Sequence, residues 1–421
     1  MNKIWHISLL ATLAIINCGC SEPKPVTFHF NEVELVRQER LNLDDDERFK
    51  AEYRQEVGAI LTALFGTPSQ PDFPFLYEDD DPAAEVLSLD NLKMSAGPVK
   101  SGRHGEPSGL YREHCVQCHG ISGDGRGPTA AFLNPYPRDF RAGKFKFKAT
   151  RLGQPPTDGD LVHVIRNGIP GTAMPAFKTL SVEEVESLVD YVKYLSVRGQ
   201  LERKLISELD SLDGDPLLDL ELAKADDEDS AEEFEDQLRT VVEEFLVEEI
   251  VERWAGAEDA VTDVPVPPDA YGFAHEGYAS FVESGRQLFR GKANCVQCHG
   301  PTGLGDGQND NYDYWTNELK TAGVDLDVPD SYQLYTDAGA FRPRRISPRN
   351  LQLAVFRGGD RPEDIYRRIA NGIEGTPMPS APTLSSDEIW ALVAYVKNMK
   401  FEASESVSTP SNSVNPTNPS P

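Results

Sequence analysis

Cys115-Val116-Gln117-Cys118-His119-Gly120 and Cys295-Val296-Gln297-Cys298-His299-Gly300 are the same six residues, met twice in a chain of 421. Two residues between the cysteines put both sulfurs on one side of a helical turn. There they can form thioethers to the two vinyl groups of a haem, with the adjacent His beneath the iron as its first axial ligand. Spacing alone also suits a redox or zinc CxxC followed by an incidental His. The duplication argues against that, because Gly120, Gly123, Gly125 and Gly127 are mirrored by Gly300, Gly303, Gly305 and Gly307. The pattern predicts two covalently attached haem c groups.

A second axial ligand follows from the methionines. There are five, and two of them sit in a repeated segment, Asn167-Gly-Ile-Pro-Gly-Thr-Ala-Met174-Pro175 and Asn371-Gly-Ile-Glu-Gly-Thr-Pro-Met378-Pro379. An isolated Met is usually core filling. Here the repeat, the Gly-rich flanks and the place after a His ligand reverse that reading. The Pro after each Met pins a non-helical loop over the haem face. A thioether favours ferrous iron and raises the reduction potential. The ligand pairs expected are His119 with Met174 and His299 with Met378.

On these residues each half resembles a class I cytochrome c domain, and the chain is similar to dihaem cytochromes with two such domains in tandem. The resemblance covers roughly residues 105–198 and 275–400. It implies a mainly α fold, with an N-terminal helix ending at CxxCH and crossed by a C-terminal helix. The residues agree independently. Ser181-Val-Glu-Glu184 and Ser385-Ser-Asp-Glu388 are capping boxes. Behind them Val185, Leu188, Val189, Val192 and Leu195, then Ile389, Leu392, Val393, Val396 and Met399, recur at helical spacing. Short helices are expected over Thr157–Arg166 and Arg361–Ala370, the latter with Pro362 in its first turn.

The copies differ in length. His119 and Met174 are 55 positions apart, and His299 and Met378 are 79 apart. The surplus lies in Gln308–Ile346, and reads as a functional loop or a disordered insert. Beyond it Pro137-Arg138-Asp139-Phe140 realigns with Pro348-Arg349-Asn350-Leu351. An Arg there suits a haem propionate or lies on the surface. Gly143–Lys148, in which Lys144, Lys146 and Lys148 alternate with Phe145 and Phe147, reads as a docking stretch for an acidic partner. It is equally the solvated side of an extended segment, or a strip covered by the acidic connector.

Six domains or segments are expected: a signal over 1–20, an N-terminal extension over 21–95, a first cytochrome c domain over 96–198, an acidic helical connector over 199–263, a second cytochrome c domain over 264–402, and a disordered tail over 403–421. Lys3 followed by the apolar stretch Ile4–Ile16 is an export pattern. It ends in Asn17-Cys18-Gly19-Cys20-Ser21, which resembles a bacterial lipoprotein processing site, and Cys18 and Cys20 are the lipidation candidates. Six cysteines less four on haem leave only these two, so no disulfide framework is expected.

The net charge is -28, of which -18 falls in residues 199–263. A charge of that sign argues against nucleic acid as a partner. Within the connector, Phe234, Leu238, Val241, Phe245, Val251 and Trp254 mark an amphipathic helix over about 231–254, preceded by a mobile stretch from Asp210 to Asp229. Upstream, Phe49, Tyr53, Val57, Ile60, Leu61 and Leu64 mark another, ended by Gly66, before a Pro-rich run from Pro68 to Pro82.

Three functions fit. The first is a carrier of single electrons between membrane respiratory complexes, with no catalytic residue. Its donor would be a quinol-oxidising complex and its acceptor a terminal oxidase or reductase; it would be lipid-anchored on the periplasmic side of the cytoplasmic membrane. The second is a dihaem enzyme of the peroxidase or thiosulfate-oxidising type, in which one iron keeps an exchangeable position. Of the mature histidines, His104, His114, His163 and His275 could replace a Met there. The third is a haem subunit of a larger oxidase or reductase complex.

Overall fold

The computed structural model describes residues 26–44, 48–73, 86–100, 108–209, 218–219, 221–222, 227–308 and 310–408. The expected signal with Cys18 and Cys20, His104, the Pro-rich run from 74 on, most of the 210–229 stretch and the tail from 409 lie outside the described residues.

Helices carry the fold. In chain order they are α1 (Glu32–Asn42), α2 (Ala51–Phe65), α3 (Leu89–Ser95), α4 (Leu110–His114), α5 (Val116–His119), α6 (Asp158–Asn167) and α7 (Val182–Glu208). Then come α8 (Glu228–Thr240), α9 (Glu252–Ala255), α10 (Tyr278–Arg290), α11 (Val296–His299), α12 (Tyr314–Thr321), α13 (Gln333–Asp337), α14 (Pro362–Asn371) and α15 (Ser386–Ser408). The single sheet among the described residues pairs Gly66–Thr67 with Gln70–Pro71.

The helix starts follow from local chemistry. Thr157 and Ser181 each form a capping box, with Asp160 and Glu184 as the reciprocal partners. Two otherwise orphaned N–H donors are satisfied at each start. Ser385 and Glu388 make the same exchange before α15, at 2.8 and 3.3 Å. Pro362 occupies the first turn of α14, where its missing N–H costs nothing.

In the first half, Val185, Leu188, Val189, Val192 and Leu195 are buried, and the stripe continues through Leu201, Leu205 and Ile206. The boundary expected after residue 198 therefore falls inside α7, which runs unbroken to Glu208. Nothing stops the helix there. Gly199 is tolerated mid-helix because a Cβ at that position would stand 2.3 Å from the Arg141 Cα. The N-terminal extension also belongs to this core. Ser95 Oγ meets Ser187 Oγ at 2.6 Å, and Asp190 accepts from the Ser88 amide at 3.1 Å and from Asn91 Nδ2 at 2.7 Å. Tyr53, Val57, Ile60, Leu61 and Leu64 of α2 share one hydrophobic cluster with the α7 stripe.

The second half packs α10 across α15 around Phe289, Trp390, Val393, Tyr395 and Met399. The axes come close at Gly285, where a Cβ would lie 2.0 Å from the Ala391 carbonyl oxygen. Helix α15 continues to Ser408, into the stretch expected to be a disordered tail.

The connector is helical as expected, but its middle, Val241–Val251, is wound as a π-helix between α8 and α9. Bonding from i to i+5 widens the turn. The buried face accordingly moves to Val241, Val242, Leu246, Ile250, Val251 and Trp254, while Phe245 is only half-buried. Most of the insert is ordered: Leu319 of α12, Val324 of the loop after it and Tyr335 of α13 pack against Val33 and Val36 of α1. It braces the two halves. Tyr136 of the first stacks on Phe341 of the insert at 4.3 Å, and Arg344 lies over the Tyr136 ring at 3.4 Å.

Candidate haem sites

Each CxxCH forms one helical turn, α5 or α11, closed by a glycine of positive φ, +73° at Gly120 and +75° at Gly300. A side chain at that φ would strain the backbone. The chain then folds back on the His. Gly125 N–H donates to the His119 carbonyl and Gly305 N–H to the His299 carbonyl, both at 2.9 Å. Phe140 N–H and Leu351 N–H close the two loops on Gly123 and Gly303, both at 2.7 Å. Independent segments thus reproduce one geometry.

The histidines are oriented from behind. The Arg138 carbonyl lies 3.0 Å from His119 Nδ1, and the Arg349 carbonyl lies 3.3 Å from His299 Nδ1. A carbonyl only accepts, so Nδ1 carries the proton and Nε2 keeps its lone pair for iron. Burial holds both imidazoles below their ordinary pKa, against the opposing effect of these bonds. The His119 ring also stacks on Phe140, with centroids 4.6 Å apart. Burial raises the Cys115 thiol to about 12 and the Cys295 thiol to about 11.

The two Met loops match bond for bond. Ile169 N–H donates to the Met174 carbonyl at 3.2 Å, and Ile373 N–H to the Met378 carbonyl at 3.1 Å. The Met174 amide donates to Thr172 Oγ1 at 3.1 Å, and the Met378 amide to Thr376 Oγ1 at 3.2 Å. Thr172 and Thr376 were not singled out in the sequence, although both stand two residues before the Met. Among the spare histidines, His163 bonds its neighbour Asn167, His275 bonds the Gly277 amide, and His114 packs edge-on to Phe177.

A haem brings two propionate carboxylates, and the cations here fit them. Arg138 and Lys146 stand eight residues apart, as do Arg349 and Arg357. Burial lowers Lys146 to about 7, with Arg138 adding to the effect, and burial beside Arg349 lowers Arg357. Lys146 has no ion-pair partner among the described residues. Arg141 Nη1, Arg349 Nε and Arg357 Nε are buried without a hydrogen-bond partner. Arg138, Arg141 and Lys146 line one cavity of about 100 Å³. Arg141 is already paired with Asp139 at 2.8 Å, and Glu34, Asp124, Asp313 and Glu318 line the same cavity, so Arg138 and Lys146, both half-buried, are the cations that would meet propionates.

This arrangement corrects the docking reading of Gly143–Lys148. Lys148 is buried and ion-paired with Glu374 of the second Met loop, and Lys144 reaches Glu318 of the insert at 3.3 Å. Lys146 turns into the cavity. The partners come from the second half rather than from the acidic connector. Sequence spacing showed the alternation but could not show which side was covered.

Fold and site together define a mainly α protein with two haem-binding domains in tandem. Residues 103–192 match the family model described as cytochrome c oxidase, cbb3-type, subunit III, and residues 282–400 match the cytochrome c model. Over 101 residues, 23% of this chain, it is 35% identical to cytochrome c55X of Paracoccus denitrificans, 79% of whose length is covered. It is also similar, at 25% identity and a TM-score of 0.44, to a chain of the Kuenenia stuttgartiensis reducing HAO-like protein complex. That match covers 69% of this chain and 94% of the other. The protein belongs to the cytochrome c family. Its two domains carry two covalently attached c-type haems.

Proposed function

We propose that this dihaem cytochrome carries single electrons between membrane respiratory complexes and is not an enzyme. Each haem supplies one reversible one-electron couple; the protein sets its potential and its neighbours. The supporting observation is that the two Met loops match bond for bond, which suits Met174 and Met378 serving alike as the sixth ligands. His119 and His299, as neutral imidazoles, would hold the irons, and Cys115, Cys118, Cys295 and Cys298 would hold the rings. Arg138 with Lys146, and Arg349 with Arg357, offset the propionate charge. A quinol-oxidising complex as donor and a terminal oxidase or reductase as acceptor suit such potentials. Export and a lipid on Cys18 or Cys20 would keep the protein beside both, on the periplasmic side of the cytoplasmic membrane.

A redox titration of the purified holoprotein with optical spectra tests this. Two low-spin haems are expected, each with the weak near-infrared band of sulfur ligation when oxidised and neither binding carbon monoxide when reduced. A high-spin haem that takes up carbon monoxide would overturn the carrier reading in favour of an enzyme.

A further inference from the structure

The two Met loops are alike internally and unlike in their surroundings. In the second, Asn371 is buried; its Nδ2 donates to the carbonyls of Ala149 at 3.4 Å and Thr150 at 3.2 Å, and its Oδ1 accepts from Thr262 Oγ1 at 2.9 Å. Glu374 pairs with Lys148 and accepts from the Gly153 amide at 3.2 Å. Arg368, on the helix leading into this loop, donates to the Lys148 carbonyl at 2.6 Å. A Cβ on Gly375 would stand 3.1 Å from the Tyr314 Cβ. The first haem domain and the insert therefore hold the base, the middle and the tip of the Met378 loop.

The first loop has less. Asn167 is exposed and bonds only its helix neighbour His163. Pro170 replaces Glu374 at the matching position and is exposed, as is Gly171 where Gly375 is half-buried; Ala173 and Pro175 are exposed like their counterparts Pro377 and Pro379. The ends of Arg349 and Arg357 reach this loop at Gly171.

We infer that the first haem domain is the positioning element for Met378, acting through Lys148, and that Met174 is the thioether that leaves its iron first. Opening the Met378 loop would strip Glu374 from a lysine that is 3% exposed and would free Asn371 from two carbonyls. A buried ammonium without its carboxylate is strongly disfavoured. Opening the Met174 loop breaks no ion pair among the described residues. Loops with few buried contacts open at lower free energy than the rest of a fold. The inference rests on Met174 and Met378 being the axial ligands.

The test follows the near-infrared sulfur band of oxidised holoprotein through a denaturant titration, with carbon monoxide binding as a second readout. In the natural chain the band should fall in two steps. In a Met174→Ala background only the later step should remain. Lys148→Met and the milder Glu374→Gln should each bring the later step down to the earlier one and raise carbon monoxide affinity at the second haem by about tenfold. Lys148→Arg should restore it. A later step that stays in place in both variants overturns the inference. Should Met378→Ala leave the band intact, the ligand assignment itself falls, a result distinguishable from failure of the brace alone.

Discussion

Arg349 and Gly171 belong to different haem domains and touch: a Cβ on Gly171 would lie 3.3 Å from Arg349 Nη2. The carbonyl of that same Arg349 orients His299, so the residue behind one haem's histidine rests on the other haem's Met loop. The converse contact exists as well. Arg138, whose carbonyl orients His119, lies over the Tyr314 ring at 5.4 Å, and Tyr314 abuts Gly375 in the Met378 loop. The two haem sites are cross-linked by their own positioning groups.

Removal of the Arg349 charge should therefore be felt at both irons. A nearby cation disfavours the ferric state, so Arg349→Met should lower both potentials, that of the second haem more. A fall of about 60 mV there corresponds to a tenfold change in a one-electron equilibrium. Redox titration of the variant checks this; a first haem whose potential does not move would show that the contact is not sensed.

Acid should release the N-terminal brace. Burial raises the Glu34 carboxyl, but Arg203 at 2.9 Å and Arg37 at 2.5 Å outweigh it, and the net shift is below the ordinary 4.5. A carboxyl with a lowered folded pKa contributes stability above its unfolded value, and that contribution is lost as pH falls through the folded value. Protection of the α1 amides against exchange should be high at pH 7 and be lost as the pH falls below the ordinary 4.5 toward the lowered folded value. Glu34→Gln should cost about 1–3 kcal/mol at neutral pH, since Arg203 is 23% exposed and keeps Glu318 at 3.2 Å, and should flatten the acid response.

Gly285→Ala tests the crossing of α10 and α15. The added methyl would meet the Ala391 carbonyl at 2.0 Å and the Tyr395 Cβ at 2.9 Å. The helices must part, at a cost of about 1–3 kcal/mol. Differential unfolding should show the second domain melting early while the His119 haem keeps its spectrum.

The repeated CxxCH turns and Met loops were legible in the sequence because their geometry is local. CxxCH needs one helical turn, and each Met loop closes on itself through Ile169 or Ile373 and through Thr172 or Thr376. What escaped is long-range. No spacing announces that Lys148 meets Glu374, more than two hundred positions away. The end of α7 escaped for a related reason. The stripe through Leu201 and Ile206 was read as connector, since its covering helix α2 lies far upstream. In the connector Val241, Val251 and Trp254 are buried as the period required, and Val242, Leu246 and Ile250 join them where the turn is π-wound.

Export and lipidation concern residues the structure does not describe, and they yield a separate expectation. Replacing both Cys18 and Cys20 with Ser should move the protein from the membrane to the soluble periplasmic fraction with both haems retained. Cell fractionation with a haem stain decides it. Membrane retention after the double change would point to a protein partner or an uncleaved segment.

The lysine stretch yields the sharpest contrast between sequence and structure. Read as a docking strip, Lys144, Lys146 and Lys148 would steer an acidic partner, and charge reversal would slow electron delivery at low salt with potentials unchanged. The structure predicts the opposite. Lys146 lines the cavity with Arg138 and Arg141 rather than standing free on the surface. Lys146→Met should lower the first haem's potential, since the propionate charge it leaves less offset favours the ferric state. Lys146→Arg should hold the potential, because Arg357 already occupies the matching place in the second site. The salt dependence of reduction by a soluble redox partner should be the same in all three proteins. A changed salt slope with an unchanged potential would return Lys146 to the surface and remove it from the haem.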